Sequence, residues 1–475
     1  MKAFDIMSQS IFSKIHKKES VEGITRISIS GYKSLYEECS IEVRPLTILA
    51  GANSSGKSSI MQPLLLMKQT LEATYDPGDI LLNGPNVRFT LSEQLFSKFS
   101  GKSQTNLRIN LEIENNKAIS NVFSRQRKKG IKILETTCQE NGVSLTFSPE
   151  INRQSIILLL NKLYEARNRE FGRIFKEGKG EIVEKLEWMI IRERCFLKLI
   201  CNSVMAVQVE EQSLPIPATF TLYDSSSHTS LFESHIRKLI HVPGLRGNPE
   251  RTYKTTGVGN EFPGTFEDYV ASVVNHWQKN KDDRLRDLGK ALETLGLTWK
   301  VDARQVNDTQ VELRVGRLPR SARGGARNMV SIADVGFGIS QVLPVLVALL
   351  VAEPGRLVYL EQPEIHLHPR AQAALAEVLA DAAKRGVRVV LETHSALLLL
   401  AVQSLVAEGN LSPDLVKLHW FIRGEDGMTK VSSTDLDDAG AFGDWPEDFG
   451  DVSLQLENRY LNAAEARLWK RSHGS

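Results

Sequence analysis

The sequence is poor in the features that mark secreted, membrane-spanning or metal-stapled proteins. Its 475 residues include four cysteines, Cys39, Cys138, Cys195 and Cys201. None of them pair at metal-ligand spacing, so they read as reduced, buried thiols of a cytoplasmic protein. Long apolar runs are also missing. The longest, Val342–Ala352, is interrupted by Pro344 and falls far short of the roughly 20 residues that a membrane span needs. The N-terminus has no apolar core of signal-peptide length, and residues 1–21 read as a polar leader. Neither sign of charge dominates: 59 Lys and Arg face 57 Asp and Glu, a net charge of +2. Global attraction to nucleic acid is thereby excluded, and any such contact has to come from a local patch. The length exceeds what one hydrophobic core supports, so two or three packed units are expected.

Periodicity outlines those units. Ile24–Ser30 alternates apolar and polar residues and predicts a strand, and Ile41–Val43 and Leu46–Ala50 predict two more. Leu107–Ile113 alternates again, and 131–147 predicts two strands about the Asn141-Gly142 turn. From 151 to 207 the pattern is helical, with seams at Ile156, Leu159, Leu160 and Leu163 and at Ile182, Leu186 and Ile190. The Gly- and Pro-containing stretch 241–264 predicts an ordered loop, followed by helices near 265–279 and 282–295. Beyond Ser331 helices and strands alternate, with strands at 357–360, 387–391 and 416–423, the pattern of a parallel sheet covered by helices. The expected layout is an N-terminal lobe at 22–149, a helical insertion at 150–217, a C-terminal lobe at 218–434 and an acidic extension at 435–475. The fold class is α/β with a mixed sheet.

The strongest motif is Gly51-Ala-Asn53-Ser54-Ser55-Gly56-Lys57-Ser58, followed by Ser59. It fits G-x-x-x-x-G-K-[ST], with an apolar strand before it and a helix from about Lys57 to Ala73 after it. Two glycines let the backbone turn its N–H groups inward, and the helix aims its positive end at the same point. Lys57 adds a mobile charge for the outer phosphates, and the Ser58 hydroxyl is a ligand for Mg²⁺. A second signal lies about 300 residues further on. The buried-strand run Leu357–Leu360 ends in Glu361-Gln362-Pro363-Glu364, and Glu361 is the candidate carboxylate on the Mg²⁺ side. His366-x-His368 lacks further metal-binding partners and reads as structural. Strand 389–391 ends in Glu392-Thr393-His394, placing His394 at the same sheet edge as a candidate γ-phosphate contact.

These segments, in this order, resemble the ABC-type ATPases of the SMC/OLD branch over about residues 22–100 and 235–450. Gly51–Ser58 looks like Walker A, Leu357–Glu364 like Walker B, His366–Pro369 like the D-loop and His394 like the switch histidine. Asp334-Val-Gly336-Phe-Gly338-Ile-Ser340-Gln341 stands where that family has its signature, and Lys33-Ser34 matches its phosphate-side contact. The resemblance implies ATP and Mg²⁺ as ligands and a split site closed by a second copy of the chain, with the signature helix reaching across. Two departures matter. Walker B usually reads Asp-Glu, whereas here Glu361-Gln362 stands, and a neutral amide orients water but takes no proton. Slow turnover is therefore expected, or a base from Glu364 or His394. Aligned on Gln341, the usual signature serine is Gly338, leaving Ser340 or the backbone to act. EQPE, HLHP and the stretch 440–449 narrow the likeness to stand-alone ATPases of bacterial antiviral systems such as PARIS, Septu and retron-linked operons. Those work with a separate effector, usually a nuclease; a toxin is the other class of effector expected.

Competing readings concern partners. An OLD-like nuclease would append clustered acids after the ATPase, and only about 80 residues follow His394. An end-tethering DNA-repair ATPase would need a long coiled coil in place of the short insertion. Two basic clusters, Arg314–Arg327 and Arg125–Lys129, read as solvated loops or as contacts to nucleic-acid phosphates. Asp435, Asp437, Asp438, Asp444, Glu447, Asp448 and Asp451 read as a solvated acidic region or a dock for a basic partner. Arg246 is a further candidate for a phosphate.

Overall fold

Alternate residues of the central strands enter two different cores. Leu46, Ile48, Ala50, Val358, Leu360, Val389 and Leu391 belong to one apolar cluster. Leu49, Leu357, Tyr359 and Val390 belong to the other. A sheet covered on both faces has no polar side to show, which is why these strands read as unbroken apolar runs. The computed structural model describes residues 22–99, 102–114, 116–126, 130–151, 154–155, 187–209, 212–220, 225–318, 328–443 and 458–465.

The central sheet has six strands: β1 (Leu46–Gly51), β2 (Ile240–Val242), β3 (Leu357–Glu361), β4 (Arg388–Glu392), β5 (Val416–Arg423) and β6 (Thr429–Thr434). Their spatial order is β2-β3-β4-β1-β5-β6. Every neighbouring pair is parallel except β5–β6, which is antiparallel. The first core is filled by α2 (Phe337–Val351), α3 (Pro369–Lys384) and α4 (Ala396–Ala407), with helices Val270–Asn280 and Arg284–Thr294 and the strand pair Val301–Asn307 and Gln310–Gly316. On the other face α1 (Lys57–Glu72) lies between the central sheet and a second sheet of six antiparallel strands drawn from residues 24–147. The turn at Asn141-Gly142 joins the last two of these strands, as the sequence predicts.

The insertion departs from its predicted helical character. Glu187–Glu193, Phe196–Val209 and Gln212–Phe220 form a three-stranded antiparallel sheet. Arg194, with φ 57°, turns the chain so that Glu193 faces Phe196. A short apolar run fits periods of 2 and 3.6 equally well, and pairing across a tight turn decides in favour of strands. The remaining seam residues, 156–186, lie outside the described residues, as do the leader and the acidic residues 444–457. The helix that carries Gly338, Ser340 and Gln341 begins at Phe337. Among the described residues no helix is long and apolar enough to cross a membrane.

Candidate nucleotide site

At the end of β1 the backbone takes a path open only to glycine. Gly51 has φ 140°, and a Cβ there would lie 2.3 Å from the Phe421 carbonyl oxygen. Gly56 has φ 104°, and a Cβ would lie 2.5 Å from Thr429 Oγ1. The N-terminus of α1 follows without a side-chain cap, so its first N–H groups are open to an anion. Lys57 Nζ donates to the carbonyls of Gly51 at 2.8 Å and Ala52 at 2.7 Å, folded back over its own loop. Burial lowers the Lys57 pKa, with the Glu392 carboxylate opposing that shift.

A cavity of about 840 Å³ opens over this loop. Residues 53–59 line it together with Lys33, Ser34, Gln362, Glu392 and His394. Sites read 300 residues apart therefore meet, because β1, β3 and β4 end at one edge of one sheet. Lys33, at φ 48°, donates to Gln62 Oε1 at 2.6 Å and sits 4.8 Å from the Phe89 ring centroid. Ser34 Oγ lies 2.8 Å from Thr429 Oγ1, which also donates to the Ser55 carbonyl at 2.7 Å. Thr429 thus ties the phosphate loop to the Lys33-Ser34 turn, although it starts a strand more than 370 residues away.

Three carboxylates crowd the strand ends. Glu361 is turned aside from the cavity. Its Oε1 accepts from His241 Nε2 at 3.1 Å and its Oε2 from the Gly244 N–H at 3.0 Å. Asn86 Nδ2, 3.1 Å from His241 Nδ1, leaves Nε2 as the protonated nitrogen. Burial pushes the Glu361 carboxyl up, but the His241 and Gly244 donors outweigh it and hold the pKa below the usual range. Glu364 is buried. Its Oε1 accepts from Thr393 Oγ1 at 2.7 Å and from the His394 N–H at 2.9 Å, so it shapes the turn that presents His394. Glu392, which the sequence reading passes over, lines the cavity and accepts from Ser58 Oγ at 2.8 Å. Its other oxygen accepts from the Tyr359 hydroxyl. Burial raises the Glu392 pKa to about 7, with the Tyr359 and Ser58 donors and Lys57 pulling it down. The single clue in the sequence was an acid closing the strand before His394.

Gln362 reaches the cavity from a left-handed backbone, φ 44°, pinned by its N–H to the Glu392 carbonyl at 2.9 Å. His394 is half-buried; burial and then Lys57 lower its pKa, so it is neutral at pH 7. Arg246 is buried, and its Nη atoms donate to the carbonyls of Pro243 and Gln362, both at 3.2 Å. It holds the loop beneath Gln362 and does not line the cavity.

Gly338, Ser340 and Gln341 do not line it either. The Ser340 hydroxyl donates to the Phe337 carbonyl at 2.9 Å, and Gln341 Nε2 donates to the Gly247 carbonyl at 3.1 Å. His368 caps α3 through Nδ1, and His366 packs against the Phe337 ring. Of the basic clusters, Arg125 pairs with Glu93 at 3.1 Å and Arg314 donates to the Met329 carbonyl at 2.7 Å. Arg320, Arg323, Arg327, Arg127, Lys128 and Lys129 lie outside the described residues. Asp435 bonds Lys417 and Arg44, each at 2.8 Å. Cys39, Cys138 and Cys195 are buried free thiols.

The oxygen donors of Ser58 and Glu392, beside open helix N–H groups, suit a hard cation held together with phosphate oxygens, which is the chemistry of Mg²⁺. A phosphate loop, a strand-end carboxylate and a histidine lining one cavity are the parts of a P-loop nucleotide site. The chain belongs to the AAA ATPase domain family, whose model matches residues 23–399. No curated protein matches it. Among solved structures it is similar to an SMC head bound to the C-winged helix domain of ScpA. That pair shares 12% identity, with 88% of this chain and 99% of the other covered, at a TM-score of 0.45. It is also similar to the SMC head domain from Thermotoga maritima, with 12% identity, coverage of 86% and 98%, and a TM-score of 0.38. A third is the Pyrococcus furiosus Smc head with an extended coiled coil, bound to the C-terminal domain of ScpA. It has 12% identity, coverage of 87% and 96%, and a TM-score of 0.41.

Proposed function

We propose that this chain is an ATP-gated switch that binds MgATP over residues 51–58, hydrolyses it slowly and closes against a second copy of itself. The observation that carries the reading is one cavity holding Lys57, Ser58, Gln362, Glu392 and His394 together. On binding, Lys57 exchanges two loop carbonyls for the outer phosphates. Neutral His394 donates to the γ-phosphate, and the Gln362 amide orients the attacking water without accepting its proton. Mg²⁺, when bound, neutralises phosphate charge and organises the oxygens for transfer.

A second copy is supported by the position of the signature stretch. It lies away from the cavity of its own chain, at the uncapped start of α2. Apolar side chains stand exposed beside site segments: Phe337 at that helix start, and Leu397 and Leu400 just after His394. The ATP-closed pair holds or releases a separate effector, a nuclease or toxin, in defence against phage.

Lys57→Ala is the direct test. Calorimetry with ATP is expected to show binding by the wild type and its loss in the variant, while the circular dichroism spectrum is unchanged. Absence of nucleotide uptake by folded wild-type protein overturns the proposal. For the effector, the chain co-expressed with the product of the neighbouring open reading frame is expected to co-purify with it, and Lys57→Ala to change that association. A permease as neighbour overturns the defence role.

A further inference from the structure

We propose that Glu392 is the carboxylate that supports the metal ion of bound MgATP, and that Glu361 serves to fasten the 241–247 loop. This rests on the nucleotide reading above and adds to it a division of labour between two acids that share one sheet edge. Glu361 and Glu392 are register partners on adjacent parallel strands. Their side chains follow Tyr359 and Val390 by two residues, so both point to the face covered by α1. Strand β4 lies between β3 and β1, which sets Glu392 one strand spacing, about 4.8 Å, nearer the start of α1.

Hydrogen bonding follows that placement. The Ser58 hydroxyl spends its one proton on Glu392 at 2.8 Å, which leaves its oxygen lone pairs free toward the cavity. A serine that ligates a cation through those lone pairs, with an anion receiving its proton, is the arrangement that raises a ligand's basicity. Tyr359 donates to the second oxygen of Glu392 and so fixes the carboxylate's direction. Both oxygens of Glu361 are committed to His241 and Gly244, and Gly244 begins the turn whose Arg246 supports the Gln362 carbonyl. The buried Glu392 carboxylate faces Lys57 as its attractive cation, and Lys57 has to leave for the phosphates when nucleotide enters. A divalent ion beside Ser58 restores the lost attraction.

The test is calorimetric titration of the full chain with the non-hydrolysable analogue AMP-PNP, in excess Mg²⁺ and in EDTA. The readout is the factor by which Mg²⁺ tightens binding. Glu392→Gln is expected to reduce that factor about tenfold or more, the loss typical of an outer-shell partner. Glu361→Gln is expected to reduce it less. Glu392→Asp, which withdraws the carboxylate by one methylene, is expected to fall between wild type and Glu392→Gln, and it decides the matter if the glutamine variant does not fold. An unchanged factor in the Glu392 variants, or a larger loss in Glu361→Gln, overturns the assignment while leaving nucleotide binding in place. So does a wild-type factor of one. A wild-type chain that binds no AMP-PNP under either condition overturns the nucleotide reading and this assignment together.

Discussion

Gln362 occupies a backbone conformation that costs a non-glycine residue about 1–2 kcal/mol, and its side chain lines the candidate nucleotide cavity. Its N–H bond to the Glu392 carbonyl and the Arg246 bond to its own carbonyl hold it there. The strain is thus retained at a residue that lines the cavity. Restoring a proton acceptor with Gln362→Glu is expected to raise steady-state phosphate release by about 10²-fold or more. Equal turnover in wild type and variant means that a base already acts from elsewhere. Loss of turnover on Glu364→Gln would then point to that residue, though its contacts make it a positioning residue for His394. That Lys57, Ser58, Gln362 and His394 belong together was legible in residue type and neighbouring pattern, and they line one cavity. Glu392 was not, since its bond to Ser58 spans 334 positions and leaves no local mark.

Among elements, α1 is anchored by a buried ion pair. Lys68 Nζ bonds Glu72, and it also donates to the carbonyls of Arg237 at 3.1 Å and Phe262 at 3.0 Å. The Gly264 N–H donates to Glu72 Oε2 at 3.0 Å, so the phosphate-loop helix and the 241–264 loop are one unit. Lys68→Met leaves Glu72 buried without its cation and is expected to lower the unfolding free energy by about 3–5 kcal/mol in a urea titration. Strand β5 is tied across to the antiparallel sheet by His419. Its Nε2 donates to the Glu42 carbonyl at 2.8 Å, and its Nδ1 accepts from Ser433 Oγ at 2.7 Å. Burial lowers the His419 pKa to about 4, the Glu42 carbonyl opposing the shift. The unfolded chain therefore binds more protons than the folded one between that value and the ordinary 6.5. The contribution is complete above the upper value and fades as pH falls toward the lower, by about 3 kcal/mol in all. The stability gap between wild type and His419→Gln is expected to be larger at pH 7.5 than at pH 4.5. An equal gap at both pH values would show that the imidazole stays neutral in neither state or in both.

For the whole molecule, closure of two copies on nucleotide is the property to measure. Light scattering is expected to give a doubled mass for the wild type with AMP-PNP and Mg²⁺. Leu400→Asp, an exposed position on α4, is expected to keep nucleotide binding and lose the mass change. A doubling that survives in both Leu400→Asp and Lys57→Ala separates association from the nucleotide site. Short-range pattern by itself determined the glycine turn, the alternation of helices and strands after residue 331, and the ends of β3 and β4 as polar edges. Those features depend on a few neighbouring residues and their periodicity. Strand order was decided only in the tertiary structure, because β4 inserts between β1 and β3 and pairing across hundreds of residues leaves no local mark. That order turns Glu392 toward Ser58 and Glu361 toward His241. The strands at 187–220 were likewise settled by pairing, where a short apolar run allowed either period.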